Sequence, residues 1–377
     1  MTRIYLDHAA TTPMAEQVIQ TFTTEINEEF GNASSIHQTG RNARKKLDKS
    51  RNIFASSIGA HETEITITSG GTEADNYALF GAAYARKSEG KHIITTQIEH
   101  HAVLHACEQL EREGFDVTYL PVNKDGIIDI NDLKNSLRDD TILVSVMYAN
   151  NEVGAIQPIQ AIGELLKDHP AYFHTDAVQA YGSIGIDVQT LHVDLLSVSS
   201  HKINGPKGIG FLYARKGIAL KPLFYGGQQE RKRRAGTENI PAVVAFAKAV
   251  ELKQANLQES ANEYIHLKQA FIKQLESNGV QFTVNGSIDH VLPHVLNISI
   301  PKTDVETFLV QLDLAGIDAS SGSACTAGSI DPSHVLVAMY GENTPELRNS
   351  VRFSFGINNT EQQAVEAANK ISKIILG

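Results

Sequence analysis

The chain has 377 residues and a mass of 41.1 kDa, enough for two domains that each bury a core of their own. Its net charge of −10 argues against a general binder of nucleic acid or anionic membranes, and its apolar runs are too short to span a bilayer. The chain has two cysteines, Cys107 and Cys325, which are too few for a disulfide framework or a four-thiolate zinc site. The low cysteine count and an N-terminus that lacks an apolar signal predict a cytoplasmic protein.

Helices are predicted at the start of the chain. Thr12-Pro13 has the pattern of an N-cap followed by proline at the first helical position. Apolar residues then recur every four positions from Met14 to Ile26, and a second helix is expected to turn Ala43, Leu47 and Phe54 inward.

Short β-rich runs then alternate with helical patterns, which predicts a mostly parallel sheet covered by helices on both faces. The predicted strands are 64–68, 92–96, 117–122, 141–147, 172–175, 195–199 and 209–213, and the helices between them are at about 73–87, 101–113, 130–138 and 158–168.

The C-terminal part has the pattern of a smaller α+β domain. A long helical stretch runs from 238 to about 277, and the elements predicted after it are a strand at 294–300, a helix at 303–315, a strand at 351–355 and a final helix from Thr360. We predict an α/β protein whose large domain spans 13–255 and whose small domain combines 1–12 with 256–377.

A phosphate cradle is predicted where the first β-rich run ends. The stretch Ser69-Gly-Gly-Thr-Glu73 leaves a strand and opens a helix, so the amides near Gly71 and the hydroxyl of Thr72 can hold a phosphate. A tight strand-to-helix turn without a ligand is the alternative.

Two further strand ends carry reactive groups. Asp176 directly follows a hydrophobic strand, and ligands gather at the carboxyl ends of strands in open α/β sheets. Lys202 follows another strand, flanked by hydroxyls and His201, and is well placed to form a Schiff base. The alternatives are a helix N-cap for Asp176 and an ordinary solvated side chain for Lys202.

Together these groups meet the needs of pyridoxal phosphate, which are a lysine for its aldehyde, an acid at its ring nitrogen, a stacking ring and a phosphate cradle. Lys202, Asp176 and His100 supply the first three. The cradle residues are Gly71, Thr72, Ser199 and His201.

A metal site is the alternative for the histidines that follow His100. His101 and His105 are four residues apart on a predicted helix, but no third ligand follows at a useful spacing, so surface or capping histidines are preferred. Cys107, in the same helix, is predicted to be a small buried hydrophobe.

Two sites are suited to an amino-acid substrate. Arg352 lies inside an apolar strand and therefore needs an anionic partner, which is either a substrate carboxylate or a structural ion pair. Asn151 offers an amide after another strand. The basic run 231–234 is interpreted as a solvated loop, with an acidic docking partner as the alternative.

Taken jointly, these motifs closely resemble those of the cysteine desulfurases, pyridoxal phosphate enzymes of the aspartate-aminotransferase fold (fold type I). The similarity extends from LDHAATT near the start to VRFSFG near the end, through SGGTEADN, IEHHAVLH, NNEVG, HTDAVQ, SSHKINGPKG, RRAGTEN and SGSACTAGS. It implies a large domain with a mostly parallel seven-stranded sheet between helices.

The resemblance also implies a role for each site residue. Lys202 carries the cofactor, His100 stacks on its ring and is a candidate proton shuttle, Asp176 pairs with the ring nitrogen, and Gln179 pairs with the phenolic oxygen. The phosphate is held by Gly71, Thr72, Ser199 and His201, and by Thr237 from across the interface of a homodimer. Asn151 and Arg352 orient the substrate, with Arg352 taking its carboxylate.

The implied reaction converts L-cysteine to L-alanine and leaves the sulfur as a persulfide on Cys325, for delivery to an acceptor protein in iron–sulfur cluster assembly or tRNA thiolation. The stretch SGSACTAGSIDPSHVL is similar to the longer, mobile cysteine loop of one subclass, so we expect Cys325 to move. The alternatives are a selenocysteine lyase or another fold-type-I enzyme such as an aminotransferase, and an inactive sulfur-relay or scaffold protein.

Overall fold

The computed structural model describes residues 3–322, 325–326, 329–330 and 332–377, with the backbone alone for residues 325–326 and 329–330. Its strands are β1 (Ile4–Tyr5), β2 (Ile65–Thr68), β3 (His92–Thr96), β4 (Asp116–Leu120), β5 (Thr141–Ser145), β6 (Tyr172–Asp176), β7 (Leu195–Ser199), β8 (Gly210–Ala214), β9 (Thr283–Val284), β10 (Val295–Ser299), β11 (Ile317–Asp318), β12 (Cys325–Thr326), β13 (Ser329–Ile330) and β14 (Ser350–Ser354). Its α-helices are α1 (Glu16–Glu28), α2 (Gln38–Ser56), α3 (Gly71–Arg86), α4 (His101–Arg112), α5 (Ile130–Ser136), α6 (Ile159–Leu166), α7 (Ile240–Ala255), α8 (Leu257–Ser277), α9 (Val305–Leu314), α10 (His334–Tyr340), α11 (Glu346–Asn349) and α12 (Glu361–Leu376).

Seven strands form the central sheet, in the order β2-β8-β7-β6-β5-β3-β4. Strand β8 runs antiparallel to both of its neighbours, and the other pairs are parallel, which confirms the predicted mostly parallel sheet. The predicted strand limits agree with these to within two residues. Strands β5 and β7 are buried along their whole length because helices cover both faces.

Each face of the sheet has its own apolar layer. On one face, the ring of Phe54 in α2 lies 4.5 Å from that of Phe246 in α7 and 5.4 Å from that of Phe211 in β8. On the other face, α3 and α4 pack against the sheet and bury Cys107 completely, which confirms its predicted burial. Because β8 is the one strand of this sheet that runs in the opposite direction, the other six strands end at one common edge, where polar side chains collect.

The predicted helix start at Thr12-Pro13 is wrong. Helix α1 begins at Glu16, with Ala15 at its N-cap. The hydroxyl of Thr12 instead donates a hydrogen bond to the carbonyl oxygen of His201 over 2.7 Å and accepts one from the amide of Asn204 over 2.8 Å. A long-range contact therefore uses the group that the sequence pattern assigned to a local cap.

A second apolar cluster joins the N-terminal strand to the C-terminal elements. Leu6 packs there with Phe271 of α8, Phe353 of β14 and Ile371 of α12, whereas Ala9 already belongs to the cluster around the large sheet. We keep the domain limits 13–255 and 1–12 with 256–377 as a proposal. Within the described residues, none of the helices has the length and apolar character needed to span a membrane.

Candidate active site

A cavity of about 390 Å³ opens at the common strand edge, and its walls bring together residues that are far apart in the sequence. The predicted site residues that line it are Gly71, Thr72, His100, Asn151, Asp176, Gln179, Ser199, His201, Lys202 and Arg352. Each lies at the C-terminal end of a central strand or in the segment that follows that strand, except for Arg352, which comes from β14.

Lys202 is directed into this cavity from a single 3-10 turn that follows β7. Its Nζ donates to the carbonyl oxygens of Ala9 over 2.6 Å and of Ala10 over 2.8 Å. Burial lowers the pKa of Lys202 to about 8, and the nearby charge of Arg352 adds to this effect. Lys202 is therefore a half-buried amine that can lose its proton near neutral pH, not an ordinary solvated lysine.

Asp176 ends β6 and is buried at the cavity wall. Its Oδ1 accepts a hydrogen bond from the amide of Val178 over 2.8 Å, so it closes a turn and does not cap a helix. Burial raises the pKa of Asp176, while this amide and the charge of Lys202 oppose the rise. A cation placed against Asp176 would favour its ionised form.

Asp75 is a second buried acid in the cavity wall, and the sequence analysis missed it. Burial raises the pKa of Asp75 well above its ordinary range, and the charge of Asp176 raises it further, so both effects oppose ionisation of Asp75. Asp75 follows Gly71 by four residues on α3 and thus shares its helix face. That spacing is the signal that points to it.

The predicted phosphate cradle lies at the N-terminus of α3. Gly70 has a φ of +151°, and a Cβ on Gly71 would lie 2.8 Å from a methyl carbon of Val178, so both positions favour glycine. The 16-residue helix α3 directs its free amides towards a second cavity, of about 450 Å³, that is also lined by Ser199 and His201. This arrangement can hold an anion.

His100 is the N-cap of α4, and its Nδ1 accepts a hydrogen bond from the amide of Ala102 over 3.1 Å. Although His100 is partly exposed, desolvation at the cavity lowers its pKa to about 4, and the charge of Lys202 contributes. The ring is therefore neutral, with its hydrogen on Nε2.

The neighbouring histidines pack against one another outside the cavity. The ring of His101 lies 5.0 Å from that of His105 and 4.8 Å from that of His334. Among the residues that the structure describes, no group of three or more His, Cys, Asp or Glu is arranged to hold a metal ion.

Arg352 has the anionic partner that its burial requires, and that partner is Asp7. Its Nη2 lies 2.7 Å from Oδ1 of Asp7, and its Nη1 donates to the carbonyl oxygen of Asn151 over 2.8 Å. The structure thus contains the ion pair considered as an alternative, while Arg352 still lines the cavity with donors to spare.

The interpretation of residues 231–234 as a solvated loop holds for the exposed Arg231 and Lys232 but is wrong for Arg233 and Arg234. Arg234 pairs with Glu73 over 2.8 Å, and Arg233 donates to the carbonyl oxygen of Thr63 over 2.8 Å. Next to them, the buried Glu230 forms two hydrogen bonds with Arg51, of 2.6 and 2.7 Å. The acidic partners lie elsewhere in the same chain, which the local composition did not indicate.

Two predicted site residues are not part of this cavity as described. Thr237 is exposed and follows the basic run, away from the cavity wall. The backbone of Cys325 lies in β12, which pairs with β13, but its side chain is outside the described residues. The expected motion of the cysteine loop falls largely on residues outside the described part as well.

The family comparison defines the class of protein to which this fold and cavity belong. Residues 4–367 match the family model for aminotransferase class-V. A relative from Bacillus subtilis (strain 168), "Putative cysteine desulfurase IscS 1", is 57% identical over 375 residues, which cover 100% of this chain and 99% of the relative. Within the class-V aminotransferases, the chain belongs to the cysteine desulfurase family.

Solved structures agree with this assignment and with fold type I. A "NIFS-LIKE PROTEIN" superposes with a TM-score of 0.93 at 34% identity and covers 100% of both chains. A second structure, "SspA in complex with cysteine", has a TM-score of 0.83 at 36% identity and covers 94% of this chain and 99% of that one.

Proposed function

We propose that this protein is a pyridoxal phosphate-dependent cysteine desulfurase that converts L-cysteine and the thiol of Cys325 to L-alanine and a Cys325 persulfide. The observation that carries the proposal is one cavity that holds the half-buried amine of Lys202, the buried acid Asp176 and the cationic Arg352. Family membership and the relative solved in complex with cysteine support the choice of substrate.

The residues of the cavity fit pyridoxal phosphate. Lys202 offers an amine that is partly neutral near pH 8, and Asp176 offers a buried acid that a protonated ring nitrogen would keep ionised. The cradle at Gly71, where a Cβ does not fit, suits the phosphate together with Thr72, Ser199 and His201. Gln179 would pair with the phenolic oxygen, and His100 would stack on the ring. When bound, the cofactor supplies an electron-poor ring that stabilises negative charge at the substrate α-carbon.

The side chains of the cavity would divide the remaining work. Arg352 binds the substrate carboxylate and Asn151 helps to orient it, while the neutral Nζ of Lys202 takes the α-proton. His100, with its hydrogen on Nε2, passes protons between the substrate sulfur and the cavity. Cys325 attacks the substrate sulfur as a thiolate, as in thiol exchange, so that a sulfur–sulfur bond forms while the carbon–sulfur bond breaks.

We further propose a cytoplasmic homodimer in which Thr237 reaches the partner's phosphate site. Phe30 and Ile36 are 87% and 91% exposed in the loop between α1 and α2, which is unusual for large apolar side chains. Ser34, in that loop, lines one cavity together with Gln228, next to the segment that bears Thr237. A second copy of the chain would bury these apolar side chains and the segment that bears Thr237.

We propose that the persulfide then passes to an acceptor protein in iron–sulfur assembly or tRNA thiolation.

The test uses the two cysteines as a matched pair. Cys325→Ala protein given L-cysteine should keep its cofactor absorbance but release no alanine beyond a single turnover. Cys107→Ala should retain turnover because Cys107 is fully buried against the sheet and burial raises its pKa. Undiminished alanine release by Cys325→Ala would contradict the proposal, and a requirement for a keto acid would indicate an aminotransferase instead.

A further inference from the structure

The ion pair between Arg352 and Asp7 has no role in the function proposed so far. Its side chains are 7% and 17% exposed, so water screens it weakly. Asp7 is further held on its other oxygen, where Oδ2 accepts a hydrogen bond from the hydroxyl of Ser320 over 2.7 Å.

The backbone fixes the positions of the three residues involved. Ser320 and Arg352 exchange two backbone hydrogen bonds, of 3.3 and 2.7 Å, and Asp7 forms a bridge with Ser354 on the same strand as Arg352. Asp7, Ser320 and Arg352 therefore lie on three adjacent extended segments, and the carboxylate of Asp7 is held between the other two side chains.

The guanidinium of Arg352 retains hydrogen-bond donors that Asp7 does not occupy. It spends one donor on Asp7 and one on the carbonyl oxygen of Asn151, and its buried Nε has no hydrogen-bond partner within the described residues. A guanidinium has five N–H groups, so a carboxylate in the cavity can bind Arg352 while Asp7 remains in place. Arg352 lines the cavity, and Asp7 contacts Arg352 without being part of the described cavity wall.

We propose that Asp7 is the resident counter-ion of Arg352 and thereby sets how tightly, and how selectively, the cavity binds the carboxylate of an amino acid. This inference rests on the proposed role of Arg352 in binding the substrate carboxylate. Asp7 keeps the buried guanidinium oriented and paired while the cavity holds no substrate.

The sign of the effect follows from the charges. A substrate carboxylate must share Arg352 with an anion that is already there, and the two carboxylates repel each other in a cavity that screens them poorly. Asp7 therefore weakens the binding of carboxylate ligands, including the product. Asp7 and Arg352 also act on the same amine, because the charge of Arg352 lowers the pKa of Lys202 and that of Asp7 raises it.

The test compares two ligands that differ only in the carboxylate, L-alanine and L-alaninamide, binding to the holoenzyme by isothermal titration calorimetry. Asp7→Asn removes the charge but keeps an oxygen that can accept from Arg352. Asp318→Asn is the matched control, since it removes a carboxylate that pairs with Arg3 near the same strand. Asp7→Ser serves as the second charge-free variant if the Asn protein does not fold.

We expect Asp7→Asn to lower the dissociation constant of L-alanine on the order of tenfold. The dissociation constant of L-alaninamide should change by less than about twofold. Asp318→Asn should change the dissociation constant of either ligand by less than about twofold as well. An unchanged or weakened affinity for L-alanine, or an equal change for both ligands, overturns the inference. Wild-type protein that does not distinguish the two ligands would instead contradict the role of Arg352 itself, and the inference would fall with it.

Discussion

The pKa of Lys202 makes a quantitative prediction about how the protein takes up its cofactor. Only the neutral amine forms a Schiff base with an aldehyde. Burial and the charge of Arg352 lower the pKa of Lys202 from 10.5 to about 8, which corresponds to about 3 kcal/mol of preference for the neutral form. At pH 8 about half of the amine is then neutral, compared with about 0.3% for an ordinary lysine, a gain of about 150-fold.

The assay mixes the apoprotein with pyridoxal phosphate between pH 7 and pH 10.5 and follows the visible absorbance that appears when Lys202 reacts. The phosphate has a second pKa of about 6 and is largely ionised from pH 7 upwards, so it contributes little titration of its own in this range. The rate constant should rise with pH through a midpoint near 8 and then level off. Arg352→Gln should move the midpoint to higher pH, because it removes a positive charge that lowers the pKa of Lys202.

Lys202→Ala is the control and should develop no such absorbance. A midpoint near 10 in the wild-type protein, or one that Arg352→Gln moves to lower pH, would refute the assignment of Lys202 as a half-buried amine with a lowered pKa.

Two other features of the structure make predictions about stability and assembly. Glu230→Gln should lower the free energy of unfolding by about 3–5 kcal/mol, because Arg51, whose side chain is 3% exposed, loses its charged partner. The control is Glu62→Gln, which breaks the half-exposed contact with Arg231 and should lower the free energy of unfolding by less than about 1 kcal/mol. Both are measured by denaturant unfolding at one protein concentration, and equal losses would contradict the importance of burial. Ile36→Glu should convert the proposed homodimer to monomer in analytical ultracentrifugation, whereas Leu314→Glu, at another exposed apolar position, should not. Dimers that persist in the Ile36→Glu protein would exclude the loop between α1 and α2 from the interface.

Much of the site could be predicted because it lies where strands end. The carboxyl ends of parallel strands share one edge of the sheet, so the residues that follow β2, β3, β6 and β7 had to meet there. That rule needs only the order of strands and loops, which the hydrophobic pattern supplies. It is why Gly71, His100, Asp176 and Lys202 were found together in one cavity.

The rest depended on pairings between distant parts of the chain. Asp7 and Arg352 are 345 residues apart, and the sequence indicated that Arg352 needs an anion without indicating which one. The basic run 231–234 is rich in charge, so its composition resembles that of a solvated surface, while its partners Glu62 and Glu73 lie more than 150 residues earlier. Charge composition describes a segment, whereas an ion pair depends on tertiary contacts.

The segment from Asp7 to Thr12 shows why irregular chain is the hardest part of a site to predict. Its backbone carbonyl oxygens at Ala9 and Ala10 accept both hydrogen bonds of the Lys202 amine, and Thr12 binds the backbone of the lysine turn. Carbonyl groups are the same for every residue, so side-chain identity does not indicate this role. The charge of Asp7, at the start of the same segment, raises the pKa of Lys202 and so opposes the effects of burial and of Arg352. The path of this segment therefore helps to determine how readily Lys202 gives up its proton, although neither alanine has a reactive side chain.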